Sequence, residues 1–158
     1  MQENKQSPVN DTVALHVASI SKSITAMAVM KLIEAGKLEM DVPLTKYFPG
    51  FPYPEVTVFT LLSQRSGLPK YEYFIEKIEP EPAELSKKYI SNHDILNLLI
   101  RYKPELARAT NTGFMYCNTN YALLALLVEH VTKTSFPEAM QQIVFRPLKM
   151  KNTFILQE

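Results

Sequence analysis

Residues 19–36 read Ser-Ile-Ser-Lys-Ser-Ile-Thr-Ala-Met-Ala-Val-Met-Lys-Leu-Ile-Glu-Ala-Gly. Ser19 suits a helix N-terminus and Gly36 the position just past a C-terminus, so the spacing predicts a helix over 19–35. Ile20, Ile24, Met27, Ala28 and Met30 through Ile33 leave little polar surface in its middle. A helix apolar on most sides is one buried in a larger structure. Ser19 and Lys22 lie three residues apart and share a face, so the amine can reach the hydroxyl. A neutral lysine there could take the serine proton and leave a nucleophile, and the helix N-terminus would favour a developing oxyanion. Serine and lysine are common enough for about one such spacing by chance. The alternative is an N-cap serine beside an exposed first-turn lysine.

Outward from this helix, the chain reads as helices joined by irregular, proline-stiffened connections. It has 4 glycines against 11 prolines, few for a sheet built on tight hairpins. Residues 1–12 are polar and read as a loose N-terminal segment. Val13 to Val17 is a short apolar run that suits extended backbone. Residues 40–56 hold four prolines and one glycine and read as irregular. Thr57 can cap a short helix over Val58–Gln64. Residues 70–90 turn aromatic, then acidic with proline, and read as a solvated surface excursion. Helices are expected from Ser91 or Asn92 to about Arg101, from Asn120 to about Thr132, and from Phe136 to about Val144.

Composition narrows the function classes. In 158 residues, 46% hydrophobic and 21% charged is a folded domain with material for a core. A formal net charge of +1 gives no electrostatic footprint for nucleic acid or an anionic membrane. One cysteine cannot make a disulfide scaffold. No segment reads as a signal peptide or membrane span. His16, His93 and His130 have no metal-ligand spacing with one another or with Cys117, so no metal or cofactor is expected and packing or surface roles are. Cys117 reads as a small buried residue. Tyr71, Tyr73 and Phe74 fit a cleft wall and the core equally well.

Tyr116-Cys-Asn118 is the second chemical feature. A tyrosine near an ammonium can relay protons, and an asparagine amide can hold a lysine and a substrate carbonyl. The alternative is a packed aromatic before a helix start rich in capping residues, Asn118, Thr119 and Asn120.

Together these features resemble the serine β-lactamase and penicillin-binding-protein family, in particular class C β-lactamases, D-Ala-D-Ala peptidases and related esterases. Val17 to Ala26 resembles the family's active-site block. Gly36-Lys-Leu-Glu-Met-Asp-Val-Pro-Leu-Thr-Lys-Tyr-Phe-Pro49 resembles the segment after the catalytic helix. Thr60-Leu-Leu-Ser-Gln-Arg-Ser-Gly-Leu-Pro69 resembles its "LLTHTSGLP" block, Tyr116-Cys-Asn-Thr-Asn-Tyr121 its Y-x-N block, and Arg146-Pro-Leu-Lys-Met150 with Thr153 its "PLGM…T" ending. The departures are Gln64-Arg65 for His-Thr, Cys117 for serine, Lys149 for glycine, and Asn111-Thr112-Gly113 where Pro-Gly-Thr is common.

The resemblance implies Ser19 as acyl-accepting nucleophile, Lys22 as its proton partner and Tyr116 as the second proton-transfer group. Asn118 is implied to position substrate and Lys22. Whether Lys22 or Tyr116 is the base stays open. The substrate implied is a small-molecule or peptide carbonyl compound: a β-lactam, a D-Ala-D-Ala peptide or an ester. The family's third motif, Lys-Thr-Gly or His-x-Gly on a strand, has no match; Lys133-Thr134-Ser135 follows a helix. The expectation is therefore a partial domain over 13–158, mostly α, comprising the catalytic helix (about 19–35) and the helical lobe (about 57–150) of the β-lactamase/transpeptidase-like fold without most of its antiparallel sheet. Such a piece should be weak or inactive alone and could self-associate through the exposed face of its catalytic helix. A periplasmic, secreted or cell-envelope location is implied for a full-length parent. The reading from another class is a non-catalytic helical binding or interaction module retaining the scaffold.

Overall fold

The computed structural model describes residues 13–77 and 89–156. The expectations for 1–12 and for 78–88 within the 70–90 stretch fall outside the described residues. The described elements are α1 (Ser21–Glu34), α2 (Val58–Leu62), α3 (Tyr71–Lys77), α4 (Asn92–Tyr102), α5 (Asn118–Thr132) and α6 (Phe136–Met140). Short 3-10 turns stand at Ala18–Ile20 and Leu44–Lys46. Among the described residues no strand forms; one antiparallel bridge joins Pro43 to Thr57. This is the expected helical lobe with the expected apolar first helix, α1. None of these helices is long and apolar enough to cross a membrane.

The axis of the lobe is α5, which packs against α1, α2, α4 and α6. Its residues Leu123, Leu124, Leu127 and Val128 are fully buried. A helix surrounded on every side explains why its sequence is apolar without a polar stripe. The other helices use local chemistry to set their ends. Thr57 and Ser91 both build capping boxes, with Thr60 and Asp94, that satisfy orphan N–H groups at the starts of α2 and α4. Ser135 accepts from the Glu138 N–H, and Pro137 sits in the first turn of α6. The expected helix over 136–144 begins as α6 and widens into a π turn at Gln141–Phe145.

The irregular 40–56 segment is a core element despite its prolines. Leu44, Phe48, Phe51, Tyr53 and Val56 are all buried. The Leu44 N–H donates to the Val56 carbonyl (2.8 Å) and the Phe59 N–H to Met40 (2.9 Å), which folds the segment over α2.

The reading of residues 70–77 is corrected. Tyr71–Lys77 is a helix, not a solvated excursion, because Phe74 and Ile75 bury one face of it in the core. Val13 to Val17 is exposed and forms no strand, since no neighbouring strand is present among the described residues to pair with it. In α2, helical winding stops at Leu62 because Gln64 adopts a left-handed backbone (φ 57°).

Candidate active site

The site forms where the start of α1 meets the segment leading into α5. Ala18 holds a left-handed backbone (φ 45°), a conformation that costs a non-glycine residue on the order of 1 kcal/mol. It turns the chain into the 3-10 turn that carries Ser19. The Ser21 hydroxyl donates to the Ala18 carbonyl (2.6 Å) and secures that turn. Ser19 is not the helix cap that its position suggests, for no capping hydrogen bond is made from its side chain.

The Ser19 hydroxyl instead meets the two groups singled out in the sequence. Ser19 Oγ and Tyr116 Oη are 2.7 Å apart, and Lys22 Nζ donates to Ser19 Oγ at 3.2 Å. The amine stands 5.1 Å from the centroid of the Tyr116 ring and 5.9 Å from that of Tyr121. The Lys22 amine, and after it the Ser19 hydroxyl, hold the Tyr116 phenol below its ordinary range by bonding to it; the Glu72 carboxylate pushes weakly the other way. Ser19 and Tyr116 are both exposed, so a substrate can reach the hydroxyl.

Tyr116 is aimed by a strap to the Gln64–Pro69 loop. The Met115 N–H donates to the Gln64 carbonyl (2.8 Å), and the Cys117 N–H to Gln64 Oε1 (2.9 Å). Asn120 Nδ2 donates to that same oxygen (2.6 Å), and the Ser66 hydroxyl donates to Asn120 Oδ1 (2.6 Å). Gln64, Ser66, Cys117 and Asn120 are buried, so this is a satisfied polar network under the site. Burial is also the main reason the Cys117 thiol is pushed up, which suits packing and not nucleophilic attack.

Asn118 lines one cavity with Ser19 and Lys22. Its amide, however, is held by α3 and not by the lysine: Nδ2 donates to Glu72 Oε1. Tyr71 and His16 line the same cavity. Phe74 belongs to the core, while Tyr73 is exposed. His130 packs edge-on against Tyr47 and Phe48.

Sequence reasoning missed Gln64 as a support and Glu72 as a partner of Asn118. The first was visible as a departure within the Thr60–Pro69 block. No local pattern marked the second. At two other departures the backbone is left-handed, at Asn111 (φ 63°) and Lys149 (φ 56°), a conformation that glycine adopts without strain and asparagine more readily than lysine.

Comparison with known proteins fits this geometry. The Beta-lactamase family model matches residues 2–157. The chain belongs to that family, which includes the serine β-lactamases and penicillin-binding proteins. It is 33% identical over 147 residues to penicillin-binding protein 4* of Bacillus subtilis, covering 92% of this chain and 31% of that protein. A penicillin-binding protein from Bacillus halodurans superposes with a TM-score of 0.63 at 31% identity, over 79% of this chain and 37% of that one. The D-amino acid amidase of Ochrobactrum anthropi, solved with D-phenylalanine, gives 0.75 at 25% identity, over 96% and 41%. The chain thus spans about a third of the length of the curated relative.

Proposed function

We propose that this chain carries the nucleophile half of a serine hydrolase that works through an acyl-enzyme. The observation that supports this reading is the double engagement of Ser19 Oγ, by Tyr116 Oη at 2.7 Å and Lys22 Nζ at 3.2 Å. Ser19 Oγ attacks the substrate carbonyl carbon, and its proton passes to Tyr116, the nearer group, held as phenolate by the Lys22 ammonium. The tetrahedral intermediate collapses, the C–N or C–O bond to the leaving group breaks, and Tyr116 returns the proton to that group. Water then attacks the acyl carbon by the reverse relay and frees Ser19.

The substrate class proposed is a β-lactam, a D-Ala-D-Ala-type peptide or a simple ester or amide. A structural neighbour that is a D-amino acid amidase supports the amide and peptide side. An oxyanion hole in this family type takes one N–H from the nucleophile and one from a strand, and no strand forms among the described residues. Slow acylation and slower turnover are therefore proposed for this chain alone.

The test is incubation with a fluorescent penicillin and, separately, with p-nitrophenyl acetate, followed by peptide mapping. A covalent adduct on Ser19 that disappears in Ser19→Ala is expected. Labelling that persists in a folded Ser19→Ala variant overturns the assignment. No adduct with either reagent, in this chain or in a longer chain containing it, favours the non-catalytic scaffold.

A further inference from the structure

Glu72 stands apart from the residues the reaction above uses, yet it touches Asn118, which lines the cavity beside Ser19 and Lys22. Its Oε1 accepts from Asn118 Nδ2, while its Oε2 and Asn118 Oδ1 are buried with no hydrogen-bond partner. The two side chains are brought together by a second tie between the same helix ends. The Tyr71 N–H donates to Thr119 Oγ1 (2.9 Å), and that hydroxyl donates to the Pro69 carbonyl (2.8 Å). Residue 71 thus binds residue 119 beside the bond between 72 and 118, so the start of α3 is latched to the start of α5.

A carboxylate only accepts hydrogen bonds, whereas an asparagine amide has one face that donates and one that accepts. A glutamate at this point leaves the Asn118 amide one orientation: Nδ2 toward α3 and Oδ1 away from it. The Asn118 side chain lines the Ser19–Lys22 cavity, and with one Nδ2 N–H held by Glu72 its unpartnered acceptor Oδ1 remains beside the second N–H. Leaving a buried acceptor unmatched is unfavourable, which draws Oδ1 toward an N–H donor. Lys22 lines the same cavity and carries such donors.

We infer that Glu72 is a positioning residue for the Ser19 chemistry, locking the Asn118 amide so that its oxygen serves as acceptor for the Lys22 ammonium. The inference rests on the acyl-enzyme reading above. When Ser19 Oγ becomes acylated it is an ester oxygen and a weaker acceptor than the hydroxyl, and Asn118 Oδ1 is the acceptor to which the Lys22 N–H can turn. A glutamine at 72 removes the lock, because its own amide can donate, and Asn118 is then free to flip. It also removes the carboxylate that acts on Tyr116, whose other charged neighbour is Lys22 from α1; Tyr121 from α5 is the nearby phenol.

The test compares Glu72→Gln, Asn118→Asp and the double variant by acylation of Ser19 with p-nitrophenyl acetate across pH. Glu72→Gln should slow acylation about tenfold, with little change in the concentration dependence, and move the alkaline-rising limb of the pH profile to lower pH. Asn118→Asp alone sets two carboxylates face to face and should be slower still. The double variant reverses the bond, glutamine donating to aspartate, and still presents an oxygen to the cavity, so it should recover most of the loss. A folded double variant as slow as Asn118→Asp, or a Glu72→Gln variant with unchanged rate and pH profile, overturns the inference. Side-chain amide NMR separates this from failure of the acyl-enzyme reading. If neither this chain nor a longer chain containing it forms an adduct, but the Asn118 amide protons are protected and lose protection in Glu72→Gln, the lock stands and the hydrolase reading falls. Unprotected Asn118 amide protons in wild type overturn the lock itself.

Discussion

The Tyr116 phenol oxygen lies 2.7 Å from the Ser19 hydroxyl although 97 positions separate the two residues in the chain. Tyr116 enters on an extended strap held by Gln64, and Ser19 on a tight turn forced by Ala18. Only the packing of α1 and α5 against each other makes the two ends meet. Lys22 then completes the group from one helical turn away.

This geometry sets a pH dependence. The Lys22 amine and the Ser19 hydroxyl lower the Tyr116 phenol, so its phenolate forms below the pH at which free tyrosine ionises. Acylation of Ser19 should rise with pH through that lowered value and level off above it. Titration of Tyr116 by NMR with ring-labelled tyrosine should give a midpoint below about 10. Lys22→Met should move the midpoint back toward the free value. A wild-type midpoint at or above the free value contradicts the relay.

The support under the site should be as sensitive as the site. Gln64 Oε1 accepts two buried donors, the Cys117 N–H and Asn120 Nδ2. Gln64→Leu leaves both without a partner and should cost about 2–4 kcal/mol in chemical denaturation. Because the same oxygen aims Tyr116, the fraction that remains folded should also acylate more slowly. A variant of wild-type stability would show that the network contributes little.

Gly67 should tolerate no side chain. Its backbone is left-handed (φ 75°), and a Cβ there would stand 1.9 Å from the Arg108 carbonyl oxygen. The Gly67 carbonyl accepts from the Ala107 N–H (2.9 Å), so relieving the clash means pulling apart the loop that carries Tyr116. Gly67→Ala should destabilise by about 3 kcal/mol or more, read as a lowered midpoint in urea. Gly36→Ala is the comparison: nothing lies within 4 Å of its Cβ position, so only the left-handed backbone (φ 65°) is strained, at about 1 kcal/mol.

Alkaline stability should depend on Tyr53. Burial pushes its phenol up to about 12 from an ordinary value of 10.0. The raised value means that the protonated form stabilises the fold. That contribution is complete below pH 10 and is lost as pH climbs from about 10 to about 12, to the extent of about 2 kcal/mol. Tyr53→Phe removes the hydrogen bond to the Pro104 carbonyl, costs about 1 kcal/mol at neutral pH, and should flatten the decline between pH 10 and 12. Equal declines in both proteins would assign the alkaline loss elsewhere.

We propose that a second copy of this chain covers the solvent face of α1. Met27 (44% exposed) and Met30 (46%) stand there, with Ile20 (67%) just before the helix, among exposed Ser23 and the Lys31–Glu34 ion pair. Sedimentation across a concentration series should show self-association, weakened at least tenfold by Met27→Gln with Met30→Gln. A monodisperse monomer at every concentration contradicts this.

How much of this was legible in the sequence follows the reach of each interaction. Helix α1 was legible because its face, its start and its Gly36 stop are encoded within one contiguous stretch. So was α5, whose unbroken apolar run marks a central helix. Tyr71–Lys77 was not. Its mix of aromatic and acidic residues leads into a proline-bearing acidic run, and only contact with the core shows that Phe74 and Ile75 form a buried face. Ser19 with Lys22, and Tyr116 with Asn118, were visible as short local spacings. Glu72 was invisible, because its partner lies 46 positions away.

By itself the sequence determined the helices other than α3, the two chemical motifs and the family they resemble. These rest on propensity, periodicity and spacing within a few turns of chain, where side-chain direction is dictated by backbone geometry. Tertiary structure alone decided that Ser19 abandons its capping role for Tyr116 and Lys22, that Gln64 carries the strap, and that Glu72 and not Lys22 holds the Asn118 amide. Those pairings cross long stretches of chain. Burial around α5 brings their partners together, and in that low-dielectric interior each polar group must find the partner that packing puts within reach.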